Sequence, residues 1–176
     1  MQEIIIKKEA VYKTEINTQI FETIYSYIED NKNNFLERSW DCNIKTSLNI
    51  SSNILHGVEE FKYLRKIISG KIDDLYIYNT GTTQPFYIES SWINVLENSG
   101  YQEFHKHTNA HGSGVLYLTD DSSAIEFAVF PEDTRIKFNP QKGDMLLFDS
   151  STFHRVLESD KERISLAFNF KGEGNA

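Results

Sequence analysis

The sequence predicts a mainly β fold: about eight short antiparallel strands in a sandwich or barrel, with N-terminal helices packed on one sheet. Two observations carry this reading. Near residue 80 the spacing of apolar residues changes from three and four to two. From there on, turn-forming clusters cut the chain into short alternating runs. A jelly roll suits that number of strands.

In chain order, residues 1–9 hold only three consecutive apolar positions between charges, too few for the apolar stretch of a signal peptide. Ile16, Ile20, Ile24 and Ile28 recur every four residues with Phe21 and Tyr25 beside them, which predicts a helix over about 14–31. Residues 42–56 are rich in Ser, Thr and Asn and read as loop or a short strand. Val58, Phe61, Leu64, Ile68, Ile72 and Leu75 predict a second helix with a pause at Gly70. Alternation then predicts strands at 86–96, 102–107, 113–119, 124–130, 134–138, 144–149, 153–158 and 163–171. The turns between them fall at Asn98-Ser99-Gly100, Asp120-Asp121-Ser122-Ser123, Pro131-Glu132-Asp133, Pro140-Gln141-Lys142-Gly143 and Ser159-Asp160-Lys161. No linker, repeat or low-complexity stretch is visible. The expectation is one domain over 1–176, with a helical part at 1–84 and a β core at 85–171.

Composition narrows the function classes. At 176 residues, 39% hydrophobic and 13% aromatic, the chain buries a real core. Eighteen basic against 26 acidic residues give a net charge of −8, which argues against a general binder of nucleic-acid backbone. One cysteine, Cys42, makes neither an internal disulfide nor a cysteine-rich metal module. No run reaches the ~18 apolar residues of a membrane span, so a cytoplasmic protein is expected.

Three of the five histidines fall within seven residues, at His105, His107 and His111. On a strand over 102–107, His105 and His107 share a face and are placed to share a metal. An exposed pair without function fits the same pattern. After a tight turn and the apolar run Met145-Leu146-Leu147-Phe148, His154 is placed to close a facial site with them. Alone, it reads equally as a core or edge histidine. Nine residues later, Arg163-Ile164-Ser165-Leu166-Ala167-Phe168-Asn169-Phe170 alternates. Ile164, Leu166, Phe168 and Phe170 take one face, and Arg163, Ser165, Ala167 and Asn169 the other. A buried guanidinium needs a partner, and a planar fork beside a hydroxyl matches a carboxylate. A face simply open to water is the rival.

The chain resembles the Fe(II)/2-oxoglutarate dioxygenases. The resemblance runs through Ser91-Trp92-Ile93-Asn94-Val95, Gly100, His105-Lys106-His107, Ser113 to Leu118, Pro140 to Phe148, His154 and Arg163 to Asn169, within about 91–170. It implies a double-stranded β-helix with Fe(II) in its mouth. His105 and His154 become metal ligands, Arg163 pairs with the distal carboxylate of 2-oxoglutarate, and Ser165 donates a hydrogen bond to it. Tyr117 also reaches toward that carboxylate, and Asn169 shares the same inner face. Hydroxylation of a small-molecule or protein substrate follows as the expected reaction.

One position departs from the family pattern. The usual third ligand is a carboxylate two residues after the first histidine; here it is His107, and no Asp or Glu occurs from 104 to 119. Three readings stay open. His107 completes a three-histidine site, or it stands beside the metal and leaves a position to water or another anion, or His107 is the first ligand with Asn109 as the third. The first is preferred. Two rival functions also stand: a cupin-like three-histidine dioxygenase that does not use 2-oxoglutarate, in which Arg163 and Ser165 have no role, and a non-catalytic jelly-roll binding module. His111 reads as a loop residue near the mouth, His56 as structural or exposed, and Glu126 as a strand acid with nothing to place it near the metal. Cys42 lacks a basic neighbour. Gly112-Ser113-Gly114 lacks the helix and lysine of a phosphate loop, and Ser151 is not a nucleophile elbow.

Overall fold

The structure, a computed structural model, describes residues 10–38, 42–81, 85–97, 99–120, 123–129 and 134–172. Residues 1–9, and the expected turn residues Asn98, Asp121, Ser122, Pro131, Glu132 and Asp133, lie outside them.

The predicted first helix is shorter than its periodicity. Strand β1 (Val11–Glu15) takes its first turn, pairing in antiparallel register with residues 144–148. The Lys13 ammonium lies 2.8 Å from the buried Asp144 carboxylate across that ladder. Asn17 stops the strand, its side chain accepting from the Gln19 N–H, and a 3-10 turn leads into α1 (Glu22–Asn31). Ile24 and Ile28 face the core as the four-residue spacing requires. The Ser/Thr/Asn-rich stretch forms short elements: β3 (Ile44–Thr46), paired with β2 (Leu36–Arg38), and the single-turn helix α2 (Ile54–Gly57). The last helix, α3 (Lys62–Thr80), does not pause at Gly70. A β-carbon added at that glycine would meet nothing within 4 Å, and the helix runs on to Gly81, whose left-handed φ of 69° closes it with an N–H bond to the Ile77 carbonyl. Burial of Leu64, Ile68 and Ile72, each about 1.5–3 kcal/mol, exceeds the ~1 kcal/mol cost of one mid-helix glycine.

The eight expected strands follow: β4 (Phe86–Leu96), β5 (Gly100–His105), β6 (Gly112–Tyr117), β7 (Ile125–Val129), β8 (Thr134–Phe138), β9 (Asp144–Asp149), β10 (Phe153–Ser159) and β11 (Arg163–Gly172). They form two antiparallel sheets, one ordered β1-β9-β6-β11-β4-β3-β2, the other β5-β10-β7-β8. The N-terminal part is therefore not purely helical, because β1, β2 and β3 join the larger sheet. Local alternation over three to five residues is too weak a signal to show this; partner strands decide it.

The larger sheet packs its outer face on the helices. Ile24, Ile28, Leu64, Ile68 and Ile72 share a core with Ile93, Leu116, Leu147, Leu166 and Phe168. A smaller core of Val115, Tyr117, Ile125, Phe127, Leu146 and Phe148 joins the two sheets. Gly112 and Gly114 make room for rings of the larger core: a β-carbon at Gly114 falls 2.3 Å from the Phe168 ring, and one at Gly112 2.1 Å from that of Phe170. Beside the smaller core a cleft of about 490 Å³, counting its open mouth, lies between the sheets. Among the described residues, no helix is long and apolar enough to cross a membrane.

Candidate metal centre

Antiparallel register brings the distant histidines together. His154, at the start of β10, stands opposite His105, at the end of β5. His107 lies two residues beyond the end of β5, and its backbone N–H is held by the Ser150 carbonyl at 2.8 Å. The shared-face argument for a strand over 102–107 therefore does not hold for His107, but its ring still reaches the cluster. Ring centroids are 4.2 Å apart for His105–His154 and 5.4 Å for each ring to His107. One ring nitrogen from each of the three lies within 4.8 Å of the others.

Two of the rings have their tautomers set. His105 Nδ1 lies 2.8 Å from the Glu103 carbonyl and His154 Nδ1 2.9 Å from that of Thr152. A carbonyl only accepts, so each Nδ1 carries the proton and each Nε2 keeps its lone pair for a metal. Phe148 packs on the His154 ring at 4.8 Å, and Trp92 lies 6.0 Å from that of His107. Burial then holds all three imidazoles neutral: His154 falls to about 3 and His107 to about 4, each by desolvation first and by its histidine neighbours second, and His105 is lowered mainly by desolvation.

This has a consequence for the metal-free protein. Unfolded histidine titrates near 6.5, so below that pH the unfolded chain takes up protons that the folded site refuses. Stability is complete above about pH 6.5 and is lost as the pH falls toward the folded values, by up to about 1.4 kcal/mol per pH unit for each histidine. Thermal melts of metal-free protein between pH 7 and 5 should show a falling midpoint. A midpoint independent of pH contradicts neutral burial.

The other end of the cleft is built by Arg163. It is 2% exposed, with Nη1 donating to the Ser123 carbonyl at 3.1 Å and Nη2 to the Tyr117 hydroxyl at 3.4 Å. Its guanidinium stacks 4.8 Å over the Tyr117 ring. Nε is buried with no partner, and among the described residues no carboxylate pairs with this cation. Desolvation lowers the Arg163 pKa and raises that of Tyr117, which stays protonated and able to donate. Ser165 lines the same cleft, opposite Asn94 on β4 and Tyr117 on β6. Asn169 lies on the same face but outside the lining. Its Oδ1 accepts from Ser113 at 2.7 Å, and its Nδ2 donates to Ser90 at 3.1 Å.

Asn94, Gln102 and Trp92 also line the cleft, and Asn94 Oδ1 is buried without a partner. None stood out in the sequence as a site residue. The available signal was alternation in β4, which puts Ser90, Trp92, Asn94 and Leu96 on the face of Arg163, Ser165, Ala167 and Asn169. His111 is outside the cluster, its Nδ1 accepting from the Gly172 N–H at 2.8 Å. His56 sits on α2 in the helical layer. Glu126 is buried against Arg155, with Oε1 2.8 Å from Nη2; Arg155 follows His154 along β10 and takes the opposite face. Cys42 packs with Ile44, Leu96 and Val156.

The donor set is all nitrogen, which suits a first-row transition metal such as iron. Opposite it waits an uncompensated fork that matches a carboxylate. Residues 92–171 match the profile of the 2OG-Fe(II) oxygenase superfamily. No curated protein sequence gives a significant match. Among solved structures, the chain is similar to a prolyl-4-hydroxylase from Pseudomonas putida, with a TM-score of 0.72 and 13% identity over 94% of each chain. It is also similar to a prolyl hydroxylase from Trichoplax adhaerens in complex with a hypoxia-inducible-factor peptide: TM-score 0.67, 14% identity, 94% of this chain and 84% of the other. HygX from Streptomyces hygroscopicus, holding nickel, 2-oxoglutarate and hygromycin B, superposes with a TM-score of 0.65 at 10% identity over 94% and 84%.

Proposed function

We propose that the chain belongs to the 2OG-Fe(II) oxygenase superfamily, whose profile matches residues 92–171, and that it hydroxylates a small-molecule or protein substrate with Fe(II) held by His105, His107 and His154. On this reading it is an oxidoreductase that uses Fe(II) and 2-oxoglutarate. The observation that carries the residue assignment is a pair: three imidazole nitrogens within 4.8 Å of one another, and a buried Arg163 with no carboxylate of its own among the described residues of the same cleft.

When bound, iron and 2-oxoglutarate supply the oxygen-activating chemistry, with the keto acid decarboxylated to succinate. The protein's own groups hold and orient. The Glu103 and Thr152 carbonyls fix the tautomers of His105 and His154. Arg163 clamps the distal carboxylate of 2-oxoglutarate through its fork, and Ser165 and Tyr117 donate hydrogen bonds beside it. Asn169 acts at one remove, holding Ser113 and Ser90 at the iron end of the larger sheet. Phe148, Val115 and Val156 keep water from the cleft.

A three-histidine dioxygenase without 2-oxoglutarate leaves the burial of Arg163 without a purpose, which favours the present reading. The similar solved structures include one in complex with a peptide and one with hygromycin B bound, so both substrate classes fit the fold. The purified protein should form succinate from 2-oxoglutarate when given Fe(II), above a metal-free control. Failure to bind Fe(II) at neutral pH in chelator-free buffer overturns the enzyme reading.

A further inference from the structure

We propose that the substrate of this chain is an anion, whose charged group binds in the metal cleft because His107 replaces a carboxylate there. The inference rests on the reading above and turns on charge. Among the described residues, the cleft is lined by no aspartate or glutamate. The one formal charge among those residues is the buried Arg163 cation. The three imidazoles are neutral donors when each binds through one nitrogen and keeps its proton on the other, as the Glu103 and Thr152 carbonyls enforce for His105 and His154. Loading adds a metal dication and the 2-oxoglutarate dianion, which cancel. With Arg163 paired to the distal carboxylate, the one positive charge left over sits at the metal end of the cleft.

An aspartate at position 107 would neutralise the loaded site. The imidazole leaves one positive charge between walls of Leu96, Val115, Ile125, Phe148, Val156 and Phe168, where screening by water is weak. A neutral substrate leaves that charge unbalanced, whereas a carboxylate, phosphate or sulfonate completes it. Donors for such a group stand in the same lining: the Trp92 indole beside His107, and the Gln102 and Asn94 amides. The surface does not select the anion, since the chain as a whole carries −8. The cleft does.

The test uses full-length protein loaded with Co(II) and saturating 2-oxoglutarate, followed by the visible Co(II) spectrum and by calorimetry. In wild type, acetate should bind at least about tenfold more tightly than acetamide, its neutral counterpart. Azide should lose about tenfold or more in affinity in H107D, compared at saturating Co(II). Equal binding of acetate and acetamide by wild type overturns the proposal, and that arm needs no variant to fold. If wild type binds neither Co(II) nor 2-oxoglutarate, the proposed function falls and this inference with it. If it binds both and does not distinguish acetate from acetamide, only this inference falls.

Discussion

Replacing Arg163 with methionine will remove most 2-oxoglutarate binding and leave metal binding largely intact. The guanidinium is buried at the far end of the cleft from the histidines, with Nε unpartnered and, among the described residues, no carboxylate beside it. Breaking a buried charge pair by truncating one partner costs 2–5 kcal/mol or more, so affinity for 2-oxoglutarate should fall by roughly 30-fold to several thousandfold. Stability of the free protein should move the other way or not at all. Methionine has a similar volume and carries no charge to desolvate, and replacing buried ionic groups with apolar ones is often neutral or stabilising by about 1–4 kcal/mol. Calorimetric titration of 2-oxoglutarate into metal-loaded protein, with a thermal melt of the metal-free variant, checks both halves. A variant that binds 2-oxoglutarate as tightly as the parent removes Arg163 from the site.

His154→Gln will cost at least about a hundredfold in metal affinity. Outer partners of metal ligands are worth about 10–100-fold, and a ligand itself is worth no less. His154 is 4% exposed, set opposite His105 by strand register, and held by Thr152 and Phe148. Glutamine keeps a polar group near the Thr152 carbonyl, so a folded variant with lost metal binding separates ligation from packing. The same variant should lose less stability on acidification than wild type, because it lacks the group whose pKa is lowered furthest, to about 3. Competition with a chromogenic chelator reads the first effect, and melts at pH 7 and 5 read the second. Unchanged metal affinity excludes His154 as a ligand.

Much of the fold was legible because its signals are local and repeated. Strands β4 to β11 announce themselves by alternation between turn clusters, and the spacing of Leu64, Ile68 and Ile72 announces α3. Arg163 and Ser165 were legible as a polar face on a strand that had to be half buried. The misreadings share one cause. Residues 14 and 15 fall inside the predicted helix, yet they end a strand because β9 offers an open edge and Asp144 a partner for Lys13. Gly70 reads as a break, yet the core on the opposite face of α3 carries the helix through it. In both places a short segment's own preference is worth about 1 kcal/mol, less than the contacts its neighbours supply.

The candidate site divides along the same line. Residue types and spacing raised His105, His107, His154 and Arg163 as candidates, because imidazoles and a guanidinium are few and chemically distinct, and the family resemblance gave them their expected roles. Spacing did not say that His107, past the end of β5, still turns its ring into the cluster, or that Asn169 is occupied by Ser113 and Ser90. Nor did it say that the cleft lining lacks a carboxylate among the described residues, which is what gives the buried Arg163 its meaning. Those facts depend on which side chains from seven separate strands and one connection meet in one place. Short segments encode their own periodicity. Charge balance and ligand convergence belong to strand register and sheet packing, which exist only once the chain has folded.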